Sequence, residues 1–273
     1  MRAALFQTTT GIDPEAAADA LAGAIRDAAA QGADILFTPE MTNIVDRNAT
    51  RADAHLADEA ADRVLARARA EAAGTGLWVA IGSLAVRAGA GIANRSFLID
   101  GFGHVRARYD KMHLFDVDLP TGERWRESDR YAAGTGAVAA ETPWGRFGLS
   151  ICYDLRFPAL YAALAEAGAT ILAVPAAFTV PTGRAHWHTL LRARAIEAGA
   201  FVVAAAQTGT HADGRETFGH SLVVDPWGEV LLDMEKAPGV ATVDLDMAVL
   251  ADVRARIPAL RHRRAIGAVT VAP

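Results

Sequence analysis

Apolar and polar positions alternate along the chain with two periods, and the switch between them lays out the elements. Residues 3–7 form an apolar run that reads as a first strand. Asp13-Pro14-Glu15 then gives a helix start: an Asp cap, Pro in the first turn and an acid beside it. Ala17, Leu21, Ala24, Ile25 and Ala28 follow at helical spacing, and Gly32 ends the helix. Residues 35–37 predict the next strand, stopped by Thr38-Pro39-Glu40. A second helix is predicted from about Asp53 to Ala73, with Leu56, Ala60, Val64 and Ala68 inward and Gly74 closing it.

Strands are then predicted over residues 77–81, 96–99 and 104–109, the last two joined by an Asp100-Gly101 turn. A long polar stretch, roughly 112–136, separates them from strands at 137–141 and 147–151. A helix from about Ala159 to Ala165 leads to a strand at 170–174. A helix at 184–198 leads to another at 201–206. Residues 221–224 and 230–232 flank the turn Asp225-Pro226-Trp227-Gly228. A last strand covers 240–244, and Asp246 is placed to cap a final short helix. Strands alternate with helices in both halves, with hairpin-like pairs between. Several strands are apolar without alternation, which implies burial on both faces. The pattern predicts a layered α/β fold with helices outside the sheets. No linker composition or fixed repeat divides the chain, so one domain over residues 1–273 is expected.

Composition narrows the class. Hydrophobic residues make up 52% and charged residues 22% of the 273 positions, which describes a globular chain with ample core. The net charge of −5 is dispersed and argues against nucleic acid as the main partner. The first apolar run is too short for a secretory signal, and nothing approaches a membrane-spanning length. A cytoplasmic location is expected. The single cysteine fits a reducing compartment and excludes an internal disulfide or a cysteine-based zinc site.

That cysteine, Cys152, stands where the apolar run 147–151 stops and Asp154 and Pro158 prepare a helix. A strand-to-helix turn lifts a side chain out of the sheet and leaves backbone N–H groups beside it, which suits a nucleophile. A small buried hydrophobe fits the same stretch equally well. Three more loops follow the carboxyl ends of apolar strands, where α/β ligand sites collect: residues 38–40, 175–178 and 207–209. Glu40 in the first is either a poorly solvated base with a raised pKa or a loop acid facing water. Lys111 ends a strand and is one of only two lysines, in a chain that otherwise uses arginine. It is either an oxyanion stabiliser or a surface cation. Glu127, by itself, is an acid in the long polar stretch. Other motifs are weak. Gly134-Thr135-Gly136 lacks the flanking strand and helix of a dinucleotide loop. His186 and His188 are two apart on a helix and point to different sides. His220 has no third partner in the sequence. The basic tail from Arg254 to Arg264 reads as a solvated or subunit-contact segment.

Taken together, Glu40, Lys111 and Cys152 make the chain resemble the nitrilase superfamily of carbon–nitrogen hydrolases, from Ala3 to about Arg264. Thr38-Pro39-Glu40 is similar to the family's glutamate segment. Tyr109-Asp110-Lys111-Met112-His113-Leu114-Phe115-Asp116 is similar to its lysine segment, and the run from Gly148 to Pro158 to its cysteine segment. The family's second glutamate maps to Glu127, with Glu123 close by. Within the superfamily the Nit branch of amidases is most similar, through 182–187, 191–197 and 219–228. Ala204-Ala205-Ala206-Gln207 leans toward the deaminated-glutathione side of that branch, and Arg184 departs from it where Pro is usual.

The resemblance implies a four-layer α-β-β-α sandwich, a homodimer packed through helical faces, and hydrolysis of a linear amide through a cysteine thioester. In that scheme Glu40 is the base, Cys152 the nucleophile, and Lys111 with the Tyr153 N–H the oxyanion donors. Glu127 holds Lys111 or the water, and no metal or organic cofactor takes part. The small polar loops around Asn43, Phe178 and Thr179 suit a short polar substrate. Arg156 or Arg184 could pair with a substrate carboxylate. Deaminated glutathione is the leading substrate and 2-oxo acid ω-amides come next. An N-carbamoyl hydrolase, a nitrile hydrolase and a catalytically silent binding protein on the same scaffold are the alternatives.

Overall fold

The computed structural model describes residues 1–89, 91–119 and 122–272. Its frame is a pair of six-stranded sheets. The first is made by β1 (Arg2–Gln7), β2 (Ile35–Phe37), β3 (Trp78–Ala88), β4 (Gly91–Ile99), β5 (Val105–Asp110) and a late strand, Gly239–Asp244, which pairs antiparallel with β1. The polar stretch after β5 holds a small ribbon, β6 (Asp116–Asp118) with β7 (Arg124–Arg126). The second sheet is made by β8 (Val138–Thr142), β9 (Gly145–Leu149), β10 (Ala169–Ala173), β11 (Phe201–Ala204), Leu222–Val224 and Val230–Asp233. Each sheet has three parallel strands at its centre and antiparallel strands toward both edges.

Period-2 alternation decides which face each residue serves. In the first sheet Ala4, Leu36, Val79 and Ile81 pack with Leu21, Ile25, Val64 and Ala68 of helices α1 (Pro14–Ala30) and α2 (Arg63–Thr75). Their neighbours Leu5, Ile35, Phe37 and Ala80 turn the other way and join Phe147, Leu149 and Ile171 of the second sheet. Phe37 stacks on Phe147 between the sheets, with centroids 5.9 Å apart. Helices α3 (Pro158–Glu166) and α4 (Val180–Ala198) cover the second sheet through Leu160, Leu164, Trp187 and Leu191. The order is helix, sheet, sheet, helix, as the resemblance implies. No helix among the described residues is long and apolar enough to cross a membrane.

Two expectations are corrected. The helix expected over 53–73 is broken into a short turn at Ala49–Asp53, a 3-10 turn at Glu59–Ala61 and α2. Asp62 causes the break, because its side chain accepts from Leu65 N at 2.8 Å and starts a new helix. Leu56 leaves the helical stripe and packs with Ile44, Ala52 and Ala85 instead. The helix then runs past Gly74 to Gly76, whose φ of 76° makes the cap. The long polar stretch 112–136, for which no strand was expected, contains the β6–β7 ribbon; Pro120 and Thr121 within it lie outside the described residues.

Gly82 of β3 stands where loops of the two sheets come together. A Cβ there would lie 2.1 Å from the Thr38 carbonyl oxygen and 2.4 Å from the Pro175 side chain. No side chain fits, so this glycine lets the loops after β2 and β10 meet, and the site lies at that junction.

Candidate active site

Glu40 follows β2 on a loop with little freedom. Thr38 Oγ1 accepts from Gly82 N at 3.0 Å, Thr42 Oγ1 donates to the Pro39 carbonyl, and Gln207 Nε2 donates to the Glu40 carbonyl at 2.9 Å. Lys111 follows β5, with its backbone N–H on the Asn94 carbonyl and its own carbonyl receiving Gly134 N. Because β2 and β5 run in the same direction, the two side chains leave the same end of the first sheet, three strands apart, and both are buried. Lys111 Nζ donates to Glu40 Oε1 at 2.8 Å and to Glu127 Oε2 at 2.7 Å. Phe115 N donates to Glu127 Oε2 at 2.7 Å and fixes the second carboxylate. Glu123 lies away from this cluster, 4.0 Å from Arg47.

Asn94 of β4 completes the arrangement. Its Nδ2 donates to Glu40 Oε1 at 2.9 Å and to Glu127 Oε1 at 3.0 Å, so one amide spans both acids. The sequence reading missed it. A polar amide between Ala93 and Arg95 in an otherwise strand-like run is a faint signal, and it says nothing about which acids it meets.

Cys152 arrives from the second sheet. Its φ of 50° is unusual for a residue with a side chain. Two bonds impose it: Cys152 N donates to the Pro175 carbonyl at 2.8 Å, and Ile151 N donates to Asp154 Oδ2 at 2.9 Å. A 3-10 turn, Cys152–Arg156, follows at once. The thiol faces the Glu40 carboxylate, near enough to feel its charge, and Ala177 N donates to Glu40 Oε2 at 3.0 Å. Tyr153 N–H finds no acceptor among the described residues.

The electrostatics of the cluster follow from burial and its charges. Burial alone would raise the Glu40 carboxyl, but the adjacent Lys111 ammonium outweighs it and holds Glu40 below the usual carboxylate range. The raised pKa expected from sequence is therefore corrected, because the neighbouring cation was not foreseeable from Glu40's own surroundings. Burial would lower Lys111, yet Glu127 and Glu40 push it well above its ordinary value. Burial and the Glu40 charge push the Cys152 thiol up, against the pull of Lys111. The resting site therefore holds a neutral thiol, a carboxylate already in its basic form, and an ammonium.

These groups line a cavity of about 410 Å³, within the range of small-molecule sites. Tyr153, Phe178 and Thr179 also line it. Three residues expected to bind substrate, Asn43, Arg156 and Arg184, are not among the residues lining it. The side-chain amide of Asn43 is tied to the Ala85 backbone by two hydrogen bonds, at 2.9 and 3.0 Å, which bolts its loop to β3. Arg156 lies over the Phe178 ring at 5.6 Å, within 3.3 Å of His186 Nδ1, outside the lining. Arg184 sits on the exposed side of α4. The cavity takes its arginines elsewhere, chiefly Arg47, Arg126 and Arg215. Arg47 and Arg215 pack on the Trp125 ring at 4.9 and 5.1 Å, and the buried Trp125 Nε1 has no hydrogen-bond partner among the described residues.

A buried acid, lysine and cysteine between two six-stranded sheets define a hydrolase of amide-like bonds, and comparison with known proteins agrees. The chain matches the carbon-nitrogen hydrolase family over residues 2–255 and belongs to it. The deaminated glutathione amidase of Yersinia enterocolitica is 43% identical over 198 residues, 71% of this chain and 69% of the relative. That of Homo sapiens is 39% identical over 267 residues, 96% of this chain and 81% of the relative. The crystal structure of the C. elegans NitFhit protein superposes with a TM-score of 0.89 at 37% identity, over 96% of this chain and 65% of that one. The chain is thus a nitrilase-superfamily enzyme of the amidase type with one buried cysteine in its site.

Proposed function

We propose that the protein hydrolyses the amide bond of a small 2-oxo acid amide of the deaminated-glutathione type. The observation that carries the reading is the contact of Lys111 with both Glu40 and Glu127 beside the Cys152 thiol. Glu40 accepts the Cys152 proton as Sγ attacks the amide carbonyl, since the pair starts as carboxylate and thiol. The oxyanion that forms is met by Lys111 Nζ and Tyr153 N–H. Glu40 then gives its proton to the leaving nitrogen, the C–N bond breaks and an amine departs. A water attacks the thioester, again with Glu40 as base. The carboxylic acid leaves and the proton returns to sulfur. Glu127 and Asn94 hold Lys111 and Glu40 in register throughout. The cycle uses only groups of this chain and water.

The substrate class follows from the far side of the cavity. Arg47 and Arg215 line this side of the cavity and bring guanidinium N–H donors and positive charge to it, with Arg215 also paired to Asp213 at 2.8 Å and Arg47 4.0 Å from Glu123. That set suits a carboxylate, such as the one ending the Cys-Gly leaving group of deaminated glutathione. The similarity to the two amidases supports the same choice. Because the sheets share one core, a single catalytic domain is part of this reading, as are a homodimer and a cytoplasmic location.

The test is a comparison of kcat/KM on deaminated glutathione, an ω-amide of a 2-oxo acid, and an uncharged aliphatic amide of similar length. The expected order is the order given. A preference for the uncharged amide would overturn the substrate class. Turnover of ureido acids or nitriles alone would overturn the reaction.

A further inference from the structure

A second cluster of chemically capable side chains lies away from the catalytic cavity and lines none of it. It joins His188 of α4, His220 in the turn before Leu222–Val224, and Asp233 at the end of the edge strand Val230–Asp233. His188 Nε2 is 2.9 Å from Asp233 Oδ2, and His220 Nδ1 is 3.0 Å from Asp233 Oδ1. The three ligand atoms all lie within 4.8 Å of one another. Tetrahedral zinc with nitrogen and oxygen ligands at about 2.0–2.1 Å sets its donors about 3.3–3.5 Å apart. The two histidine–Asp233 contacts, at 2.9 and 3.0 Å, would widen slightly and the two imidazole nitrogens, within 4.8 Å of each other, would settle to the same spacing as an ion enters.

The carboxylate and His220 are held in place by their neighbours. Asp233 Oδ1 also accepts from Glu235 N at 2.8 Å, which fixes the carboxylate. The His220 ring stacks on Phe218, centroids 4.3 Å apart. Its backbone is gripped at both ends: its N–H donates to the Glu235 carbonyl, and its carbonyl accepts from Trp187 Nε1 at 2.8 Å. The φ of His220 is 56°, a conformation a non-glycine residue keeps only when its surroundings impose it. The side chains are 39%, 19% and 27% exposed for His188, His220 and Asp233, so an ion and a coordinating water can enter.

We propose that His188, His220 and Asp233 form a binding site for a divalent first-row transition metal ion. Two imidazoles and one carboxylate leave positions open for water. Nitrogen donors favour Zn2+, Ni2+ or Cu2+ over the hard, oxygen-seeking Ca2+ and Mg2+. The ion ties α4 to the edge of the second sheet, and its binding stabilises the folded state. The site stands apart from the amidase reading, since none of its residues takes part in the reaction.

The experiment uses the full-length Cys152→Ala protein, so that no thiol competes for metal. After chelator treatment it is titrated with ZnCl2 against a fluorescent chelator. One ion per chain is expected, with affinity reduced more than about tenfold by either His188→Ala or Asp233→Asn. Thermal unfolding should shift upward with Zn2+ in the parent and not in these variants. Co2+ should give visible absorption in the parent alone. His188 is partly exposed and Asn is close in shape to Asp, so circular dichroism is expected to show both variants folded; His220→Gln provides a third. Absent zinc binding, or binding equal in parent and variants, would establish a hydrogen-bonded network only and overturn the proposal.

Discussion

Tyr109 and Asp154 meet between the two sheets, with Tyr109 Oη donating to the buried Asp154 Oδ2 at 2.7 Å. The same carboxylate receives His113 N at 3.1 Å and contacts His113 Nδ1 at 2.7 Å. Tyr109 and His113 stand on either side of Lys111, and Asp154 stands two residues after Cys152. One acid therefore rivets the lysine segment of the first sheet to the cysteine turn of the second. Burial and the Asp154 charge push the Tyr109 hydroxyl far up, so it stays a donor at any working pH.

Tyr109→Phe removes one of those bonds and leaves an acceptor short of a partner. We expect a loss of about 1–3 kcal/mol in urea unfolding. We also expect kcat to fall more than KM rises, because the displaced group is Lys111. A variant with wild-type kcat would show that the rivet does not set the catalytic geometry.

Glu40→Gln should move two measurements in opposite directions. Amide turnover should fall by several orders of magnitude, as it should for Cys152→Ala, since the base is gone. Labelling of Cys152 by iodoacetamide at pH 8 should become faster, because the Glu40 charge that raises the thiol is removed while Lys111, which lowers it, remains. Slower labelling than wild type would contradict the assigned resting state.

Lys111→Met leaves Glu40 and Glu127 bridged by Asn94 with no cation between them. Removing one partner of a buried ion pair costs about 3–5 kcal/mol. The pH dependence should also invert. In the wild type Glu40 is held below 4.5, so its contribution to stability is full above that value and is lost as pH falls through the depressed pKa. Without Lys111, burial raises the carboxyl, and stability is then lost as pH rises through the raised value. Urea midpoints between pH 4 and 8 would show this; parallel curves for the two proteins would refute it.

Arg215→Ala and Arg47→Ala test the carboxylate site. Each should raise KM for deaminated glutathione about tenfold or more, in line with the loss of a charge-assisted hydrogen bond of about 1.5–3 kcal/mol. KM for an uncharged amide should barely move. Equal effects on both substrates would remove these arginines from substrate recognition.

Assembly has its own test. Ile196, Trp227, Val230, Leu231 and Ile257 are exposed on α4, the Asp225–Gly228 turn, the edge strand and the C-terminal helical segment. Exposed apolar residues on neighbouring elements mark an association surface, and a second copy packed about a two-fold axis is the occupant we expect. Sedimentation should give a dimer for the wild type and a monomer for Trp227→Glu. A wild-type monomer at micromolar concentration would refute it.

Sequence pattern alone placed most strands and helices and their alternation, because 2.0 and 3.6 periodicities are local properties of the chain, while the short ribbons at 116–126 and 208–218 escaped it. It also marked Glu40 and Cys152, since each stands where an apolar strand stops, and Lys111, which ends a strand and is one of only two lysines. Other features needed the tertiary structure. Local pattern ran a helix through Asp62, whose cap to Leu65 N becomes decisive only once Leu56 packs elsewhere. Arg156 and Arg184 were near Cys152 and the Phe178 loop in sequence, yet the turn and helix carrying them leave both outside the cavity lining. Arg47 and Arg215, 168 residues apart, converge on one tryptophan. The ionisation of the site was decided the same way. Whether a buried carboxyl is raised or lowered depends on the charge beside it, and Lys111, 71 positions along the chain, reaches Glu40 only once the chain has folded.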